Sequence, residues 1–161
     1  MSQQQDLLLS KIKLILGEEI EYKSDYRPDW LKNPNTGKNL EIDIYIPYLS
    51  LGFEYQGYHH FLNAGDKMRN NDYIKMKLSK RYGHPIIEIF ENDLFSKNFK
   101  SIFLSRIEVQ CNLQTYNKVT CLMQQKEFQD IADNQLESER IKAEEDSIDC
   151  LMNIDFSNYI Y

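Results

Sequence analysis

Two runs of alternating residues, split by a proline, constrain this chain more than anything else in it. Leu40-Glu41-Ile42-Asp43-Ile44-Tyr45-Ile46 alternates with period 2 and is stopped by Pro47, and Leu51-Gly52-Phe53-Glu54-Tyr55-Gln56 resumes after a short connection. Period 2 sends successive side chains to opposite faces of a strand, and two such strands with a short link pair as an antiparallel hairpin. Glu54 and Gln56 then share a face, and Asp43 stands between Ile42 and Ile44. An acid in so apolar a strand belongs near a partly buried, helix-packed surface. Two carboxylates converging there repel each other unless a cation lies between them. Hard divalent ions take oxygen ligands, and Mg²⁺ characteristically uses one or two carboxylates plus substrate phosphate. The same spacing also fits an open hairpin whose polar face meets water, with Asp43, Glu54 and Gln56 merely solvated.

The flanks supply the remaining elements. Leu7, Leu8, Ile12, Ile15 and Leu16 recur at helical spacing, which predicts a helix over 3–16 ended by Gly17. Residues 18–24 are a candidate strand, and 25–39, with its prolines, asparagines and Thr36-Gly37, reads as a loop or hairpin connection. A basic helix is expected over 67–82, burying Met68, Tyr73, Met76 and Leu78. His84–Phe90 reads as a buried strand and 97–110 as a helix. The signal then weakens until 124–152, a charged helical stretch with Phe128, Ile131, Leu136, Ile141, Ile148 and Leu151 as its apolar positions. This order predicts an α/β (α+β) fold: a small mixed sheet with a central antiparallel hairpin flanked by helices. The expected division is a core over residues 1–110 and an acidic, mainly helical C-terminal extension over 111–161.

Charge is distributed unevenly. Residues 1–100 hold 14 basic and 14 acidic side chains, and residues 101–161 hold 5 and 11, so the whole net charge of −6 sits in the last third. Within the first part, Lys67, Arg69, Lys75, Lys77, Lys80 and Arg81 face only Asp66 and Asp72. An acidic chain is a poor nucleic-acid binder on average, but a phosphate responds to charge within a Debye length, roughly 8–10 Å. The basic stretch is therefore either a solvated helix face or a backbone-binding surface. Gly57-Tyr58-His59-His60-Phe61 follows the second strand directly. Two histidines there can act as acid, base or phosphate contact near neutral pH. Two acids, an amide and two histidines ahead of a basic helix make the set that metal-assisted phosphodiester hydrolysis requires.

At this point the residues resemble a known family. Leu40 to Pro47, then Leu51-Gly52-Phe53-Glu54-Tyr55-Gln56-Gly57 and His60, with Arg69, Asp72, Lys75, Gly83 and Ile86-Ile87-Glu88-Ile89 further on, resemble the PD-(D/E)XK, or restriction-endonuclease-like, nuclease superfamily. The likeness is to its branch around very-short-patch repair endonucleases and covers about residues 3–95. The resemblance implies that Asp43 and Glu54 are metal ligands, with the main-chain carbonyl of Tyr55 as a third. Gln56 stands where the family usually has the lysine that holds or activates the attacking water. His60 matches the histidine of the repair branch, His59 stands where relatives often have glutamine, and Asp72 and Lys75 match polar residues on the following helix. For the family's first-helix glutamate this chain offers Asp6 or Glu18. A different register, built on the literal Pro28-Asp29 and Glu41-Ile42-Asp43, puts an acid in the lysine position and leaves Glu54, Gln56 and His60 without a role.

The expected function is a divalent-metal-dependent endonuclease using Mg²⁺ or Mn²⁺, with catalytic Asp43, Glu54, Gln56, His59, His60, Asp72 and Lys75, metal held by Asp43, Glu54 and Tyr55, and nucleic acid held by Lys67, Arg69, Lys75, Lys77, Lys80 and Arg81. The alternative is a catalytically degenerate nuclease fold that binds nucleic acid or a protein. Expected partners are nucleic acid, DNA first, a protein docked on the acidic helix, and a second copy of the chain in a homodimer. No membrane partner is expected, because no apolar run approaches the roughly 20 residues of a span and the polar start carries no secretory pattern. Cys111, Cys121 and Cys150 are odd in number and widely spaced, so neither a disulfide framework nor a zinc motif is expected, and an intracellular setting is.

Overall fold

The structure is a computed structural model that describes residues 2–57 and 66–152, over 66–69 and 146–152 by backbone alone. Helix α1 spans Gln3–Leu16. It starts with a reciprocal cap, in which Ser2 Oγ accepts from the Gln5 amide at 3.3 Å and Gln5 Oε1 accepts from the Ser2 amide at 2.6 Å. It ends at Gly17, and its buried stripe is Leu8, Ile12, Ile15 and Leu16.

Strands β1 (Lys23–Tyr26), β2 (Ile42–Ile46), β3 (Leu51–Gln56) and β4 (Ile86–Phe90) form one sheet in that spatial order. β1–β2 and β2–β3 are antiparallel, and β3–β4 is parallel. The hairpin registers Ile46 on Leu51, Tyr45 on Gly52 and Ile44 on Phe53, with Ser50 in the left-handed region closing the turn after Pro47–Leu49. The crossover to β4 carries α2 (Asp66–Tyr82). Gly83 ends that helix at φ +70°. Its amide and that of His84 turn back to the Lys80 and Ser79 carbonyls, a Schellman stop that only a residue tolerant of positive φ accommodates. Helices α3 (Glu91–Leu94), α4 (Phe99–Gln110) and α5 (Leu113–Met152) follow. The fold is mixed α+β around a four-stranded mixed sheet, as the order of elements predicts.

One sheet face carries Ile44, Ile46, Leu51, Phe53, Ile87 and Ile89, packed with the α1 stripe and with Phe99, Phe103 and Ile107 of α4. Phe53 and Phe103 stack at 5.3 Å. A second, smaller cluster of Leu31, Ile42 and Tyr45 takes in Trp30, Leu78 and Ile86 on the other face. Trp30 stacks on His84 at 4.6 Å, and His84 Nδ1 lies 2.8 Å from the Tyr45 hydroxyl.

Three expectations need correction. β1 lies at 23–26 rather than 18–24. Tyr73 and Met76 are exposed, and α2 instead turns Ile74 and Ser79 inward. The compact unit does not stop at 110: it extends to Met123, because Val119 and Met123 on the first turns of α5 are buried in the core. From Gln124 the second unit is helical through Met152, with Phe128, Ile131, Leu136 and Ile141 all exposed. Pairs three or four residues apart, Lys126–Asp130 and Arg140 with Glu137 and Glu144, lie along it. Among the described residues no helix is long and apolar enough to cross a membrane.

Gly52 sits where the two strand pairs of the second face converge. A Cβ there would lie 3.0 Å from Ile42 Cγ2 and 3.2 Å from Ile86 Cγ1. Gly52→Ala is therefore expected to cost about 1–3 kcal/mol through overpacking, read as a lower urea midpoint. An unchanged midpoint would show that the two isoleucines yield freely.

Candidate active site

The β2–β3 ladder is regular only as far as Ile44–Phe53. Beyond it, the Asp43 side chain takes the place of a strand carbonyl: its Oδ2 accepts the Tyr55 amide at 2.9 Å. The strands part around that carboxylate, which is only 8% exposed. One residue along β3, Glu54 is equally buried at 8%. Lys75 of α2 reaches it from above, with Nζ at 2.8 and 2.9 Å from its two oxygens. Gln56, next on the same face, donates from Nε2 to Glu88 Oε1 at 3.2 Å. Glu88 is the β4 residue registered beside Glu54.

Asp43, Glu54, Gln56 and Lys75 line an open cleft of about 720 Å³ that also takes in Asp72, Asn71 and Tyr55. The loop after β1 is anchored beside it. Asn33, 3% exposed, donates to Asn71 Oδ1 at 3.0 Å and so ties that loop to α2. Arg27 and Glu41 pair at 2.6 Å on the rim.

The electrostatics follow from burial and charge count. Burial pushes the Glu54 carboxyl up to about 7, the Asp43 and Asp72 carboxylates add to the rise, and only Lys75 opposes them. Two buried acids and the exposed Asp72 beside one ammonium favour a further positive charge. Among the described residues no three His, Cys, Asp or Glu side chains stand together as a ready-made metal cage. The donor set nevertheless fits a hard divalent ion that keeps waters or takes substrate oxygens: two buried carboxylates, all-oxygen, with negative charge in excess.

Asp43, Glu54, Gln56, Tyr55, Asp72 and Lys75 all line this one cleft. Lys75 is drawn inward onto Glu54, whereas Lys77, Lys80 and Arg81 are exposed on α2. His59 and His60 lie outside the described residues, as do the side chains of Lys67 and Arg69. Neither Asp6 nor Glu18 is among the lining residues; the cap Ser2 and Gln4 and Gln5 of α1 are. Asp29, from the literal Pro28-Asp29, is an exposed loop residue that accepts from Asn39 Nδ2 at 2.9 Å and does not line the cleft. Two acids were missed. Glu88 carries the same signal as Asp43, an acid alternating with isoleucines, and Glu91 lines the cleft from α3.

Comparisons with known proteins add little chemistry. No family model matches the chain, and no solved structure matches it. Over 72 residues it is 35% identical to Uncharacterized protein 033L of Invertebrate iridescent virus 3, covering 39% of this chain and 37% of that protein. Over 40 residues it is 60% identical to Uncharacterized protein 307L of Invertebrate iridescent virus 6, covering 22% of this chain and 20% of that protein. The chain thus spans well under half the length of both curated relatives.

With EDTA present, the Glu54 carboxyl carbon followed by ¹³C NMR is expected to titrate near 7 rather than at its ordinary 4.5. Asp72→Asn should lower that midpoint and Lys75→Met should raise it. A raised value in the folded state means that proton uptake favours folding. The contribution is full below about pH 4.5 and is lost as pH rises through about 7. A midpoint near 4.5 in the parent would mean that the carboxylate is solvated.

Proposed function

We propose that the chain is a divalent-metal-dependent nuclease of restriction-endonuclease-like fold that hydrolyses phosphodiester bonds, with DNA as its expected substrate. The observation that carries this reading is the pair of nearly buried carboxylates, Asp43 and Glu54, at the parting end of an antiparallel hairpin, with Lys75 bound to the second. A solvated hairpin face, the bland reading of the same spacing, leaves no reason for two acids to be 8% exposed. Asp43 and Glu54 would hold Mg²⁺ or Mn²⁺, with the Tyr55 carbonyl as the third ligand. Such an ion polarises the scissile phosphate and lowers the pKa of an attacking water.

The protein's own groups do the rest. The Tyr55 amide fixes the Asp43 carboxylate in one orientation, leaving its other oxygen for the ion. Lys75 supplies from α2 the cation that position 56 lacks. Lys75 Nζ, within hydrogen-bond distance of both Glu54 oxygens, would offer its charge to a phosphate oxygen brought to the two carboxylates. Gln56, held by Glu88 through Nε2, presents its amide oxygen as an acceptor for a water proton. His59 and His60 transfer protons or steady developing charge. Lys67, Arg69, Lys77, Lys80 and Arg81 attract the sugar-phosphate backbone without regard to sequence.

A second reading is a degenerate nuclease fold that binds nucleic acid or a protein without cutting. Two observations favour it: both Glu54 oxygens are occupied by Lys75, and Gln56 replaces the lysine. The acidic helix beyond Gln124, with exposed Phe128 and Ile131, is the surface on which this reading would place a protein partner.

Plasmid and oligonucleotide nicking in Mg²⁺, Mn²⁺ and EDTA separates the two. The nuclease reading expects cleavage that EDTA abolishes and that Asp43→Asn, Glu54→Gln and Lys75→Ala each reduce by about 10²-fold or more. Gln56→Lys should retain or raise activity. If the Asp43 and Glu54 variants cut like the parent, the site assignment is wrong. Retained nucleic-acid binding without cutting, unrescued by Gln56→Lys, supports the second reading.

A further inference from the structure

A second hollow of about 610 Å³ lies beside the first and shares Glu54, Gln56, Asp72 and Lys75 with it. Its walls differ in character. Tyr73 and Met76 of α2, Ile86 of β4 and Val109 of α4 line it. Tyr73 is 50% exposed, Met76 is similar, and Val109 is 80% exposed. Ile86 also packs against the Leu31, Ile42 and Tyr45 cluster, but Tyr73, Met76 and Val109 leave apolar surface open to solvent beside a charged cleft. Its polar part includes the Gln56–Glu88 pair, in which an amide and a carboxylate lie side by side. Lys80 also lines the hollow, and Lys77 Nζ lies 4.7 Å from the centre of the Tyr73 ring, holding that ring on the helix surface.

From this arrangement we infer that the second hollow receives one unpaired nucleobase of the strand whose phosphate lies at Asp43 and Glu54. The inference rests on the site facing nucleic acid, as proposed above, and adds the substrate class: single-stranded or locally unpaired. A base has an apolar π-face for Tyr73, Met76 and Val109, and a polar edge whose amino and ring N–H groups match the Glu88 carboxylate and the Gln56 amide. An apolar side chain from a protein partner would cover the Glu88 carboxylate, which accepts from Gln56 Nε2 at one oxygen, without adding a donor for its remaining lone pairs, which is costly. The exposed lysines on α2 suit the phosphates that accompany a base. A base within a duplex cannot enter, since its edge is paired and its faces are stacked.

The test uses the full chain, labelled at Ile, Val and Met methyls and kept in EDTA. It is titrated with uncharged nucleosides and, separately, with ribose. The Met76, Ile86 and Val109 methyls should shift with at least one nucleoside and not with ribose, and Tyr73→Ala or Val109→Asp should weaken that response about tenfold, the scale of one lost base stack. Methyls that ignore every nucleoside, or that respond equally to ribose, overturn the proposal. In a second arm, fluorescence anisotropy compares a single-stranded oligonucleotide with its duplex. Binding should be about tenfold tighter to the single strand, and Val109→Asp should remove most of the difference. No preference in the parent would overturn the assignment to the bound strand and leave a pocket for free nucleosides. Neither arm needs metal or cleavage, so failure of the nuclease reading shows separately, in the nicking assay.

Discussion

The ion pair between Lys75 and Glu54 ties the site to the fold. It joins the middle of α2 to the centre of the sheet with an ammonium 2.8 and 2.9 Å from the two oxygens of one carboxylate. Removing Glu54 from so buried a pair would leave the Lys75 ammonium charged and unpaired, whereas removing Lys75 would leave Glu54 to take up a proton. The pair also sets the rotation of α2. With Lys75 facing the sheet, Asn71, Ile74, Leu78 and Ser79 share its face by helical spacing, and Tyr73, Met76, Lys77 and Lys80 turn outward. The buried side of the helix, the exposed basic side and the apolar wall of the second hollow all follow from that rotation.

The hairpin was legible, with β2 starting at Ile42 rather than Leu40, because its signal is local. Period 2, a proline stop and a short link specify two paired strands without reference to the rest of the molecule. The same is true of α1, which has a cap at Ser2 and a stop at Gly17. What escaped was set by tertiary contact. Tyr73 and Met76 look like core residues in a helix of low apolar content, but the Lys75–Glu54 pair turns them to solvent. β1 is a polar edge strand with Asp25 at positive φ, so its sequence carries no alternation to read. The first turns of α5 hide Val119 and Met123 among Gln114, Thr115, Asn117 and Lys118. A boundary drawn by composition alone therefore falls at 110, short of Met123. Asp43, Glu54 and Gln56 were legible because they interrupt apolar strands. Glu88 interrupts β4 in the same way, and it shows its meaning only when the parallel register sets it beside Glu54.

The chemistry of the cleft turns on an imbalance. The buried Glu54 carboxyl feels the Asp43 and Asp72 carboxylates on one side of the balance and Lys75 on the other, at the wall of a cleft open to water. A protein can meet such an imbalance with a proton, a second cation or a metal ion. The proton on Glu54 is available up to about pH 7. Above that, a divalent ion is the partner that two oxygen donors with open coordination positions best suit. Lys75 favours the ionised form of Glu54 and holds both of its oxygens.

The most direct test of this account is a crystal structure of the full chain grown or soaked with Mn²⁺ at millimolar concentration, with anomalous scattering recorded. The account predicts one anomalous peak between the Asp43 and Glu54 carboxylates, absent in Asp43→Asn, with Lys75 Nζ withdrawn from at least one Glu54 oxygen. No peak, with Lys75 still bound to both oxygens, would contradict it and leave the site a structural ion pair.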